Sequence, residues 1–423
     1  MSIQSISFPK VSTCQQPHSN FFKDVLHGDK AFYKQSDYLD ATRRDFAQNK
    51  PLPVNYIWNT EDKTRRIAKQ ILSIIIFPIG IYQLLHALAG KVALLPASNS
   101  LIMALAYFFL NDFSESSVIY LIKNFANIVR SKVFLESEWK YKRITVEVDG
   151  YKIDAVIMGK ESTLNNLRWT LVSIGNGELY EATLCEGHDL KCLLHQINSN
   201  AIVFNYPGVG ASSGLPNRQA MAKAYRAMLT LLEDQQKGIG AKEIIGYGHS
   251  IGGGVQGDAL KTHELKKDIK YVFVKSRTFS DLSTAASAIT IRPLGFLVKM
   301  LGWNMGSVES SKKIQVPEII MQTNFDKLKL GFNSKIFIQK AGSKYHIDLK
   351  KAQKLSCTSS SLDDLIKDDD GVIPASASLA KVLLKDKEWS PRENQIFIGI
   401  RESHNDPLID PSFLTEQIEA LLV

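Results

Sequence analysis

The chain has 423 residues, 44% of them hydrophobic and 22% charged, and carries a net charge of +8. That balance excludes a disordered or fibrous protein and leaves length for a large core plus a second region. The positive charge is not gathered into a Lys/Arg block with interleaved aromatics, so nucleic acid is not expected; an anionic membrane surface is the partner a basic exterior suits.

The four cysteines, Cys14, Cys185, Cys192 and Cys357, form no C-x-x-C pair. Neither a zinc site nor a disulfide framework is expected, and no cofactor is. Met1-Ser2-Ile3-Gln4-Ser5 lacks a basic region followed by an apolar one. No secretory signal peptide is therefore expected, and export would need a non-Sec route.

Helical patches are expected at 21–26 and 38–46, and Pro51 and Pro53 break what precedes them. Arg65, Arg66 and Lys69 then lead into two uncharged runs, 71–90 and 92–111, separated by Lys91. Each has the roughly 18 residues a membrane span needs. Pro78, Gln83 and His86 interrupt the first run, Pro96, Ser98, Asn99 and Ser100 the second, and the Gly90-Lys91 connection is short. Lys123, Arg130 and Lys132 follow, so both flanks are basic. Two expectations stand side by side: a re-entrant or interfacial hairpin facing an anionic surface, and a buried helical pair packed on the next domain. Residues 1–140 are thus read as a helical N-terminal region with an apolar hairpin at 71–111, and 141–423 as a separate domain.

From about residue 143 the period changes. Ile144-Thr145-Val146-Glu147-Val148 and Ile153-Asp154-Ala155-Val156-Ile157 flank Asp149-Gly150, which predicts an antiparallel hairpin. Strands follow at 169–174, 201–206, 243–249 and 271–274, with helices at 180–197 and 220–236. This alternation predicts an α/β domain with a mainly parallel sheet covered on both faces. The apolar stretch 277–311 is either a core helix or a lid-like insertion beside a site. Strands are expected at 316–321 and 335–339, a polar insertion at 340–369, a last strand at 395–400 and a terminal helix from 413.

Gly248-His249-Ser250-Ile251-Gly252 lies between a strand and a helix, the context of a nucleophile elbow. Gly210-Ala211-Ser212-Ser213-Gly214 fits the same short pattern, but Leu215-Pro216-Asn217 follows it and it reads as loop. A serine nucleophile needs a base and an orienting acid. His404 is the candidate base, in a loop after the last strand. Asp370, in Asp370-Gly371-Val372-Ile373-Pro374, is the preferred acid, and Asp326 is the alternative. The oxyanion donors are read as the Ile251 amide and Asn176, in Gly175-Asn176-Gly177. A purely structural turn is the alternative for that loop. His249 is expected to point away from the substrate side of the serine.

With these pieces, the chain from about 143 onward resembles the α/β-hydrolase superfamily. The order Ser250, Asp370, His404 is the order of that fold, and Gly175-Asn176-Gly177 stands where its oxyanion loop usually begins His-Gly, here with Ile174 in place of the histidine. More narrowly, Tyr247-Gly248-His249-Ser250-Ile251-Gly252-Gly253, Ser276-Arg277-Thr278-Phe279-Ser280 and Asp370-Gly371-Val372-Ile373-Pro374 are similar to the chlamydial CHLPS-type family and to SidB-like lipase-type effectors of intracellular bacteria. The resemblance implies a bacterial protein delivered into a host cell, with a host-cell partner. The expected function is a serine hydrolase acting on an ester or thioester of a lipid or acylated substrate. The alternative is a catalytically idle scaffold that uses the same fold to hold a membrane or host partner.

Overall fold

The computed structural model describes residues 52–94, 139–323, 337–339 and 370–423, apart from 164, 187, 401 and 409. A short strand, β1 (Tyr56–Trp58), precedes helices α1 (Lys63–Ile75) and α2 (Phe77–Ala93). The run 71–90 does not form one rod. It breaks at Ile76, Pro78 enters the first turn of α2, and segments Lys63–Ser73 and Pro78–His86 meet at 106°. Proline has no amide to bond back into a preceding turn but suits a helix start, which accounts for the break just before Pro78. Among the described residues no single helix is long and apolar enough to cross a membrane. Most of the run 92–111, the patches at 21–26 and 38–46, and Lys123, Arg130 and Lys132 lie outside the described residues, as does the insertion at 340–369.

β2 (Trp139–Val148) and β3 (Tyr151–Lys160) pair in antiparallel register from Trp139↔Lys160 to Val148↔Tyr151. Their turn needs positive φ at both central residues, and Asp149 (49°) and Gly150 (87°) supply it. Asp149 does a second job. It accepts from the Thr60 amide (2.7 Å), the Thr60 hydroxyl (2.6 Å) and Lys223 Nζ (2.7 Å), which fastens the β1–α1 connection onto the hairpin. Burial alone would raise its carboxyl, but the Lys223 and Thr60 hydrogen bonds outweigh it and hold the pKa down at about 2.

The chain then alternates: β4 (Arg168–Ser173), α3 (Tyr180–Glu186), α4 (His188–Gln196), β5 (Asn200–Phe204), α5 (Arg218–Glu233), β6 (Glu243–His249), α6 (Ile251–Leu260) and β7 (Lys270–Ser276). The helix expected over 180–197 is thus two pieces. Next come α7 (Leu282–Ile289), α8 (Arg292–Met300), α9 (Val308–Lys313), β8 (Glu318–Thr323), β9 (Phe337–Gln339), α10 (Leu379–Lys385), β10 (Gln395–Ile400) and α11 (Ser412–Leu422). Among the described residues the ten strands form one sheet in the order β1-β2-β3-β5-β4-β6-β7-β8-β10-β9. β5, β4, β6, β7, β8 and β10 run parallel, while β3 and β9 run against them. The strands buried on both faces are β-branched or aromatic, as in Ile244-Ile245 and Tyr271-Val272-Phe273-Val274.

From β4 the chain steps one way to β5, then back past β4 to β6. Right-handed crossovers therefore put α3 and α4 on one face and α5 on the other. The reversal opens a crevice at the carboxyl ends of β4 and β6, the usual ligand position in such sheets. This is the α/β-hydrolase fold, with β1 and β9 added at its edges.

The stretch 277–311 is not a core helix. Helices α7 and α8 form an arm closed at its base by Leu282 N donating to Met305 O (2.9 Å) and Ser307 N to Ser280 O (3.1 Å). Its apolar side chains Ile289, Ile291, Leu294, Phe296, Leu297 and Met300 are exposed.

The Asp149 latch carries a pH signature. Its folded pKa is depressed, so its contribution to stability is complete above the ordinary aspartate value and is lost as pH falls toward about 2. Thermal melts of wild type and Asp149→Asn should differ by a constant margin from pH 5 to 8, and the margin should shrink below roughly pH 4.

Candidate active site

Ser250 follows β6 directly and precedes α6, with φ 53° and ψ −122°. A non-glycine residue occupies that region only where its surroundings enforce it. The enforcing feature is the absence of neighbouring side chains. A Cβ on Gly252 would lie 2.1 Å from the Ser173 carbonyl oxygen, one on Gly253 2.7 Å from Thr278 Cβ, and one on Gly248 2.9 Å from the Gly252 carbonyl oxygen. These glycines let the start of α6 press against the end of β4. Thr278 Oγ1 donates to the Ser250 carbonyl at 2.6 Å and locks the turn from the β7 side.

His404 Nε2 lies 2.8 Å from Ser250 Oγ, and His404 Nδ1 lies 2.8 Å from Asp370 Oδ2. All three residues are buried. Asp370 is held in place by its own turn: Oδ1 accepts from the Val372 amide (3.0 Å) and the Ile373 amide (2.5 Å), and Gln322 Nε2 reaches Oδ2 at 3.3 Å. The His404 amide donates to the Asp370 carbonyl at 2.6 Å, so backbone as well as side chain joins the two loops. Burial works against the charge on Asp370, yet the His404 contact and the two amides together hold its carboxyl below the usual aspartate range. The alternative acid, Asp326, lies outside the described residues.

The Ile251 amide stands at the start of α6. Asn176 is exposed and lines a cavity of about 450 Å³ with Ile174, Leu193, Arg277 and His404. Ser250 is not in that lining. In the same loop the Gly175 amide is taken by Glu178 Oε2 at 2.9 Å.

Two further residues carry little signal in the sequence. Arg277, at the end of β7, is buried with φ 47°. Its Nη1 donates to the Ser403 carbonyl and, at 2.7 Å, to the Asp406 carbonyl, so its guanidinium spans the loop that bears His404. His249 does not turn clear of the site. Its ring centroid is 5.1 Å from that of His404, and it lines the same cavity. Burial, then the charges of Arg277 and His404, push its imidazole well below the ordinary histidine range, which keeps it neutral beside its neighbour. The other G-x-S-x-G serine is structural: Ser212 Oγ accepts from the Asp154 amide (2.9 Å) and donates to the Asn205 carbonyl (2.8 Å).

Against known proteins, the family model described as Chlamydia CHLPS protein (DUF818) matches residues 41–385. The chain belongs to this CHLPS family. The matched residues include Ser250, Arg277 and Asp370 and end before His404. No curated protein matches the chain. Among solved structures, an esterase from Pyrococcus furiosus is similar at 17% identity over 43% of this chain and 70% of that one, with a TM-score of 0.33. An alpha-beta hydrolase from Vibrio vulnificus is similar at 14% identity over 65% and 81%, with a TM-score of 0.37. At such scores the fold of this CHLPS member rests on its own strand order.

Replacing Arg277 by Met should leave the chain folded but release the 403–406 loop. Hydrolytic turnover should fall by roughly a hundredfold with KM changed far less, since small misplacements of a reacting group carry that cost. Arg277→Lys should recover part of the loss. Equal kcat in wild type and Arg277→Met would remove the positioning role.

Proposed function

We propose that the protein is a serine hydrolase that cleaves an ester or thioester of a lipid or acylated substrate through an acyl-enzyme. The observation that carries this reading is the unbroken line Asp370–His404–Ser250, with 2.8 Å at each link. A serine hydroxyl is a weak nucleophile unless a base takes its proton as it attacks. His404 Nε2 removes that proton, and the imidazolium that forms is stabilised and oriented by the Asp370 carboxylate. Attack on the carbonyl gives a tetrahedral oxyanion. The Ile251 amide and the Asn176 loop supply its donors, at a helix start and a glycine-flanked turn. His404 then passes its proton to the leaving alcohol or thiol. In the second half it deprotonates water, which attacks the acyl-serine and frees the acid and Ser250.

The acyl-lipid preference is supported by the exposed apolar arm, which follows β7 at the same edge of the sheet where Ser250 follows the parallel strand β6. No step needs a metal: the base, acid and donors are all supplied by the chain.

The test is hydrolysis of a p-nitrophenyl ester series by wild type, Ser250→Ala and His404→Ala. Wild type should turn over, and either substitution should lower kcat by roughly four orders of magnitude or more. Absence of turnover by wild type across short and long acyl groups would favour the scaffold alternative. Equal activity in Ser250→Ala would move the chemistry elsewhere.

A further inference from the structure

We propose that α1, α2, α7 and α8 together form one docking face for an anionic phospholipid bilayer. The two helix pairs are about 200 residues apart in sequence but meet at Trp303, on the return limb of the arm. The buried Trp303 indole donates its Nε1 proton to the His86 carbonyl at 3.0 Å, and its ring lies 5.7 Å from the His86 ring. Gly90 is needed for this approach, because a Cβ there would fall 2.4 Å from Trp303 Cζ2 and 2.1 Å from the Pro216 carbonyl oxygen. The Tyr82 hydroxyl reaches across to Gly302. The N-terminal pair is thus seated on the arm, and the Asp149 latch ties its leading end to the sheet.

Around this junction the helices show apolar side chains to solvent. On α1 and α2, Ile75 is 73% exposed, Leu84 58% and Leu88 52%; on the arm, Ile291 is 64% exposed and Phe296 69%. Single exposed apolar residues are ordinary, but large ones repeated on two helix pairs that meet at Trp303 mark an interaction surface.

Charge selects the occupant. None of the four helices contains an aspartate or glutamate, while they carry Lys63, Arg65, Arg66, Lys69, Lys91, Arg292 and Lys299. Of the nearby acids, Glu61 holds Lys69 at 2.6 Å, Asp149 lies 3.5 Å from Arg66 and Asp281 caps α7 through the Thr284 amide, while Asp62 stands at the start of α1 without a side-chain cap hydrogen bond. A second copy of this chain would bring like charges together across the same face. An anionic bilayer accepts both components, with apolar side chains entering the acyl boundary and lysines and arginines meeting the headgroups. The 106° bend between the α1 and α2 segments and the short length of α7 and α8 suit helices lying on a surface rather than crossing it.

The face adjoins the candidate active site through the arm's base, where Thr278 Oγ1 binds the Ser250 carbonyl. Docking needs no serine chemistry, so this inference stands or falls apart from the proposed reaction.

The test is co-flotation of the full chain with phosphatidylcholine vesicles that either contain or lack phosphatidylserine. The chain should bind only the anionic vesicles, and added salt should weaken binding. Ile291→Asp with Phe296→Asp, and separately Leu84→Asp with Leu88→Asp, should each lower the bound fraction by roughly tenfold or more. Arg292→Gln with Lys299→Gln, which leaves the apolar packing untouched, should lower it by roughly tenfold. Ser250→Ala should bind as wild type does. No binding, equal binding to neutral vesicles, full binding by the Arg292/Lys299 variant, or a solution dimer that Ile291→Asp with Phe296→Asp dissolves would each overturn the proposal.

Discussion

The backbone of Ser250 is the constraint on which the rest of the site depends. At φ 53° and ψ −122° it sits where an L-residue is strained by about 1–3 kcal/mol, and neighbouring contacts must hold it there. Those contacts come from three directions. Gly252 lets α6 close on the Ser173 carbonyl at the end of β4, Gly253 makes room for Thr278 beyond β7, and Thr278 returns a hydrogen bond to the Ser250 carbonyl. One strained residue therefore joins three strands of the sheet. The reversal of strand order at β4 opens the sheet at the carboxyl ends of β4 and β6, from which the Asn176 loop and Ser250 respectively follow.

The partners of Ser250 arrive from much farther along the chain. His404 is 154 residues away, so its position depends on how the loop after β10 is held. Arg277 grips that loop through the Ser403 and Asp406 carbonyls, and Thr323 Oγ1 binds the Glu402 carbonyl at 2.6 Å. His404 and Asp370 are joined twice, by side chain and by backbone. His249, its imidazole pushed well below the ordinary histidine range by burial, packs beside the His404 ring.

Much of this was legible in the sequence, because the relevant signals are local. Alternation fixed the β2–β3 hairpin, Asp149-Gly150 its turn, and glycines around a serine between strand and helix its elbow. The context that set Ser212 aside has a physical basis, since its hydroxyl is consumed by two backbone partners. Other features were hidden for definite reasons. β1 has only three residues, too few for a period. The positive φ of Arg277 and its reach to the 403–406 loop have no local pattern. The orientation of His249 depends on which ring packs against it. The arm and the N-terminal helices read as greasy in sequence, but periodicity names no partner, and a core helix and an exposed one can share a composition. Pro78, one of the residues that set the run 71–90 apart from an ordinary span, lies at its bend.

The fold thus splits its apolar residues into two populations. Those on the central strands β4 to β8 are sealed within the sheet and its covering helices. Others, among them Ile75, Leu84 and Leu88 on α1 and α2 and Ile289, Leu294 and Phe296 on α7 and α8, are exposed. The proposed reaction on an acyl lipid would use both, a rigid sheet to hold the strained serine and an apolar approach to it. The central claim is that Ser250, and not the matching Ser212, is the activated nucleophile. Peptide mapping by mass spectrometry after reaction with a fluorophosphonate tests this most directly. The account predicts an adduct on Ser250, none on Ser212, and a much slower reaction in His404→Ala. An unmodified Ser250, or an adduct on Ser212, would contradict it.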